Sequence, residues 1–283
     1  MKPVLMAFSL WVTLGAAAQE RVQVPFQLID GWAIVVEGTL GGVAHRKILI
    51  DAGTVPSAIN LKFVKRLGLS GLSSELSLMN RAIRSERVSV PDICLGPIAV
   101  ERLNMAVMDL TQIEQALATR IDAVIGIDLL ARQNFSLDYR RKKLVFGAIA
   151  AAPGQITFET KQEAGGTYIL IPLESGGERL RVLLDTGTRD LMLFQPRLKG
   201  SLRQLHPRAQ EFNLNAGGRD LLTEVEMQSV NLGQLSRRKQ RAYIWATPED
   251  QLRDFDGLLG PAAFGASVVG FDFVRHVMSI ETQ

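Results

Sequence analysis

Two acids, Asp51 and Asp185, sit in nearly identical runs: ILIDAGT ends at Thr54 and VLLDTGT ends at Thr188. Each run is three apolar residues, an acid, a small residue, Gly and Thr. One such run is an ordinary turn, because Asp and Gly favour turns and Thr can satisfy a free backbone group. Two runs brought face to face would do more. Two carboxylates held together in a partly desolvated cleft cannot both ionise cheaply, so they share one proton and titrate as a pair. A water between them meets a base and an acid at once. The charged carboxylate takes a proton as the water attacks a carbonyl, and the protonated one donates to the carbonyl oxygen. That chemistry hydrolyses a peptide bond without metal, cofactor or covalent intermediate.

The elements around the two acids repeat as well. The offset that carries Asp51 onto Asp185 also lays IDAVIGIDLLARQNFSLDYRRKKLVF (121–146) without gaps on FDGLLGPAAFGASVVGFDFVRHVMSI (255–280). Residues 33–51 likewise lie on 167–185. Between these blocks the register slips, since Gly96 matches Gly233, three positions beyond that offset, and a longer segment near 111–121 restores it. A repeat of this length is the first thing a fold must explain. It divides the chain into a first half, 19–150, and a second, 151–283, with the small-residue stretch 147–155 as the linker.

Strand signals dominate both halves. AIVVEG, RKILID, RVSV and KLVF are short, β-branched and bounded by Gly, Pro or Asp, and TYILIPL, RVLLD, TEVEM and VMSI are their counterparts. Each acid therefore ends a buried strand, and each following Gly lets the backbone turn and approach its partner closely. INLKFVKRLG (59–68) reads as a helix stopped by Gly68, with LMLFQPRLKG (191–200) in the matching place, and Pro261 opens a short helical turn. Asp122 and Asp256 read as strand-entry residues, Asp138 and Asp272 as hairpin-turn acids, and SRRKQR (236–241) as a solvated turn.

The paired apolar-apolar-Asp-x-Gly-Thr motif is followed by VIG (124–126) in the first half and LLG (258–260) in the second, each at the same distance from its acid. This pattern resembles the pepsin/retropepsin-like aspartic proteases, with two retropepsin-like lobes in one chain. The resemblance spans roughly 30–146 and 165–281. It implies a mostly β, bilobal pepsin-like acid-protease fold: two related β-barrel-like lobes with short helices and a cleft between them. It implies Asp51 and Asp185 as the catalytic dyad, with Gly53, Thr54, Thr186, Gly187 and Thr188 supporting the active-site loops. Thr54 and Thr188 would donate to the outer carboxylate oxygens. Hairpins from 76–90, with NRAIRSE at the tip, and from 212–225 would cover the cleft. Ala52 departs from the pattern, which usually has Thr or Ser there, so the reciprocal hydroxyl bond between the loops comes from Thr186 alone.

Residues 1–18 have the form of a secretory signal, with Lys2, an apolar core over 3–15 and AAA before Gln19. The core is shorter than the roughly 20 residues of a membrane-spanning helix, and an uncleaved anchor is the other reading. The expectation is an exported, periplasmic or extracellular chain without stable membrane insertion. Without Lys2 the formal charge falls from +3 to +2, too small to point to nucleic acid. Cys94, the single cysteine, excludes an intrachain disulfide and reads as a buried thiol in a strand-like run. His45, His206 and His276 share no ligand spacing, and neither a metal nor a cofactor is expected. The function expected is an exported aspartic endopeptidase acting on peptide or protein substrates as a monomer. The alternative is a catalytically weak or inactive relative that binds peptides.

Overall fold

The computed structural model describes residues 21–78, 82–149, 154–163, 166–215, 218–246 and 254–282. The signal reading over 1–18 lies outside them, as do 79–81 and 216–217 in the two expected hairpin tips and 150–153 in the linker. Among the described residues the protein is mostly β with a few short helices, and its strands form a thirteen-stranded and an eight-stranded sheet. No described helix is long and apolar enough to cross a membrane.

The strands that carry the two acids lie inside their sheets. Val43–Ile50 runs parallel to Ala123–Ile125, with Ile48 opposite Ala123 and Ile50 opposite Ile125. Glu178–Leu184 runs parallel to Gly257–Leu259, with Val182 opposite Gly257 and Leu184 opposite Leu259. The second set of partners is the first set moved by the offset between the acids. Flanked on both sides and covered on both faces, these strands end in unbroken apolar triplets, Ile48–Leu49–Ile50 and Val182–Leu183–Leu184, all buried.

The slip in the repeat is visible in the hairpins. Leu72 pairs with Arg87 and Ala209 with Glu224, while Arg87 pairs with Ala106 and Glu224 with Tyr243. These correspondences all carry the longer offset that relates Gly96 to Gly233. The second half therefore has a longer connection between its acid-bearing turn and its first hairpin strand. The first half regains the difference after Met108, where it forms the helix Thr111–Ala116.

The two halves share one sheet. Phe135–Asp138 pairs antiparallel with the second-half strand Ala266–Asp272, and Ser136 faces Gly270, its own equivalent. Equivalent residues opposed in an antiparallel pair place a local twofold axis between them. Phe135 and Phe271 stack at 4.6 Å across this seam, and one continuous apolar core extends through both halves.

Short elements follow local rules. Leu61–Leu67 is a helix whose N-cap Asn60 accepts from Lys62 N, and Gly68 closes it in the left-handed conformation. Asp138 accepts from Arg141 N at 2.8 Å and Asp272 from Arg275 N at 2.9 Å, so both close hairpin turns.

Three expectations are corrected. LMLFQPRLKG is not a helix: Leu191–Phe194 is a buried strand followed by a 3-10 turn over Gln195–Arg197. Pro196 lacks the N–H a helix interior needs, and its ring would meet the carbonyl four residues back. SRRKQR is not a turn but part of strand Leu235–Trp245, because the hairpin reverses earlier, at Gly233 and Gln234. Cys94 is exposed, not buried. Side chains alternate along Ala82–Leu95, and with Ile93 and Leu95 inside, Cys94 faces outward.

Candidate active site

Each acid leaves its strand in the same way. Asp51 N donates to Ile125 O and Asp185 N donates to Leu259 O, both at 3.0 Å. These bonds hold each turn against the strand that carries VIG or LLG. The chain then folds back sharply: Thr54 N donates to Asp51 O at 3.1 Å and Thr188 N to Asp185 O at 3.4 Å. Gly126 and Gly260 explain why those strands end in glycine. A Cβ on either would collide with the backbone oxygen of Thr54 or Thr188, respectively.

Across the seam the two turns meet reciprocally. A Cβ added to Gly53 would lie 2.5 Å from Asp185 Cγ, and one on Gly187 would fall onto Asp51 Oδ2. Only glycine at both places lets the carboxylates approach this closely. Thr186 ties the turns together. Its hydroxyl accepts from Ala52 N at 2.9 Å and lies 3.3 Å from Ile50 O, to which it can donate. Both Ala52 and Thr186 are buried. The methyl of Ala52 returns no such bond.

The carboxylates are not equivalent. Asp51 accepts from Gly53 N at 2.8 Å and from the Thr54 hydroxyl at 2.6 Å. Asp185 accepts from Gly187 N at 2.7 Å. Among the described residues Thr188 donates no side-chain bond to it, so the hydroxyl expectation is met on one side only. Burial, the charge of Asp51 and a hydrogen bond with Asp51 push the Asp185 carboxyl well above the ordinary carboxylate range, and the Gly187 N–H offsets only part of this. This favours the protonated form of Asp185.

Sequence reading missed a second layer beneath Asp51. Ser57 and Asp128 form a buried lock: Ser57 N and its hydroxyl both donate to the Asp128 carboxylate, and Gly126 N donates to Ser57 Oγ at 2.9 Å. The second half has Leu191 and Ala262 at these places, and there Gly260 N donates to Asp190 O at 3.0 Å. The signal was an acid two positions after VIG with no counterpart after LLG. Asp122 and Asp256 lie away from the turns, at the strand entries. Asp122 accepts from Lys47 N and Arg120, and Asp256 from Arg181 N.

The family model of aspartyl proteases matches residues 36–129, which include Asp51, Thr54, Ser57 and Asp128. Over these residues the chain is similar to that family. No curated protein matches the chain. The aspartic-protease-like match ends before Phe135, so the second acid-bearing turn stands on the internal repeat and on its contacts with the first.

Proposed function

We propose that this chain is an exported aspartic endopeptidase in which Asp51 and Asp185 form one catalytic dyad between two pepsin-like lobes. The observation that carries the reading is the reciprocal approach of the two turns, glycine of one against carboxylate of the other. Asp51, held by two donors, is the ionised partner and takes the proton from the attacking water. Asp185, kept protonated by burial and by its neighbour, donates to the carbonyl oxygen of the scissile bond. As the gem-diol collapses and its C–N bond breaks, Asp51 gives its proton to the leaving nitrogen and Asp185 takes one from a gem-diol hydroxyl, which restores the pair. Both half-sites lie on one chain, which favours a monomer. Export rests on the signal-like residues 1–18. A second reading, a peptide-binding protein of weak activity, is favoured by Ala52, which removes one of the two bonds across the seam.

The test is incubation of the purified chain with a denatured protein between about pH 3 and about pH 7, spanning the carboxylate range and its upward shift. Fragments are expected from the wild type and none from Asp51→Asn or Asp185→Asn. A single mutant with wild-type turnover would refute the dyad. A wild type that binds peptides without cleaving them would establish the second reading.

A further inference from the structure

A cavity of about 550 Å³ opens on the first half between the helices Leu61–Leu67 and Thr111–Ala116. It is distinct from the acid pair. Asp122 on its wall bonds to Lys47 of the strand that ends at Asp51, four positions further along, roughly 13 Å at strand rise. One wall is the segment 111–122, which contains the extra length by which this half exceeds the other after its hairpin.

The acids of this cavity are already engaged. Glu114, with its side chain 15% exposed, accepts from Lys62 Nζ at 2.7 Å, Asn60 Nδ2 and Ile121 N. Asp122, 4% exposed, accepts two bonds from Arg120 and one from Lys47 N. The cations face outward: the Lys62 side chain is 55% exposed and that of Arg120 46%. Arg66 lies 5.8 Å over the Phe63 ring, and Arg46 stands at the same distance from that ring. Among the described residues Arg66 has no carboxylate partner. Lys47 spends its ammonium on the neutral Thr119 hydroxyl. Nearby, Asp109 is held by Thr111. Lys62 and Arg120 thus offset the two acids of the cavity, and Arg66, with Arg46 and Lys47 beside it, leaves a net positive charge at the opening.

We infer that this cavity is a second binding site, for a small multivalent oxyanion carrying phosphate or carboxylate groups. The planar fork of Arg66 matches either group, while Lys62 and Arg120, paired with Glu114 and Asp122, add their partly exposed charges at the rim. The volume accommodates a small organic polyanion and excludes a folded partner.

Isothermal titration of the full chain with inorganic pyrophosphate, with citrate and with monovalent acetate tests this. One saturable site per chain is expected for pyrophosphate, citrate or both, which identifies the favoured group, and acetate should bind at least about tenfold more weakly. Raising ionic strength from about 0.01 M to about 0.15 M should weaken binding. Arg66→Gln and Lys62→Gln should each weaken it roughly tenfold, the loss of one charge-assisted bond. Arg66 holds no carboxylate among the described residues, so Arg66→Gln should fold, losing at most the small stabilisation of its contact over the Phe63 ring. Asp51→Asn should bind unchanged. Absence of saturable binding to both polyanions, full affinity in folded Arg66→Gln, or loss of binding in Asp51→Asn would each overturn the inference.

Discussion

Asp185 carries an electrostatic cost that the fold tolerates for the sake of the pair. Its carboxyl is raised in the folded state, so the folded protein holds a proton that the unfolded chain has released. The sign follows: stability falls as pH rises from the unfolded carboxylate value, about 3.9, through the raised folded value. Asp185→Asn removes that penalty and keeps an oxygen to accept from Gly187 N. The variant should melt higher than the wild type at neutral pH, with the difference vanishing toward about pH 4. Melting curves across pH that remain parallel would contradict this. Activity should follow the same group from the other side. As Asp185 loses its proton the acid is lost, so the rate should decline on the alkaline limb. A profile still climbing above about pH 8 would assign the chemistry elsewhere.

Thr186 makes the second residue-scale case. Thr186→Ala leaves buried Ala52 N without its partner and should cost about 1–3 kcal/mol. Ala52→Thr offers a hydroxyl to the equivalent groups of the opposite loop, Thr186 N and Leu184 O, and should stabilise by about 0.5–1.5 kcal/mol. Thermal unfolding of the two single variants and the double variant closes a cycle. Residues 52 and 186 face each other, so the coupling should be clearly non-zero.

At the scale of elements, the two acid-bearing turns are held by different means. The first is locked from below by Ser57 and Asp128, the second by a backbone bond from Gly260 to Asp190. Asp128→Ala strands the Ser57 N–H and hydroxyl in a buried place and should destabilise by about 2 kcal/mol. Ala262→Asp, at the equivalent position of the other half, meets Leu191 where Ser57 would be and should gain nothing. Denaturant unfolding of the two variants separates a specific lock from a general preference for an acid at that position.

For the whole molecule the decisive feature is the shared sheet. Phe135 and Phe271 stack on each other at the seam between the halves, and both are fully buried. The halves should therefore melt as one unit despite the repeat. Calorimetry should show a single transition, and Phe271→Ala should lower it as a whole, by about 3–5 kcal/mol, rather than split it. Two resolved transitions in the wild type would mean that the seam does not couple the halves.

The sequence alone determined the repeat, the two acid-bearing turns, the strands that deliver them and the helix stop at Gly68. All of these are written in local spacing: apolar triplets before an acid, glycine where the backbone must turn, one offset kept through gapless blocks. Local spacing could not say that Cys94 faces outward or that SRRKQR lies in a strand, because strand face and hairpin length are set by distant partners. It also could not distinguish Thr54 from Thr188. The two runs are nearly the same in letters, yet one hydroxyl reaches its carboxylate and the other does not. Which acid holds the proton thus depends on burial and on groups in the opposite half of the chain, and only folding brings those together.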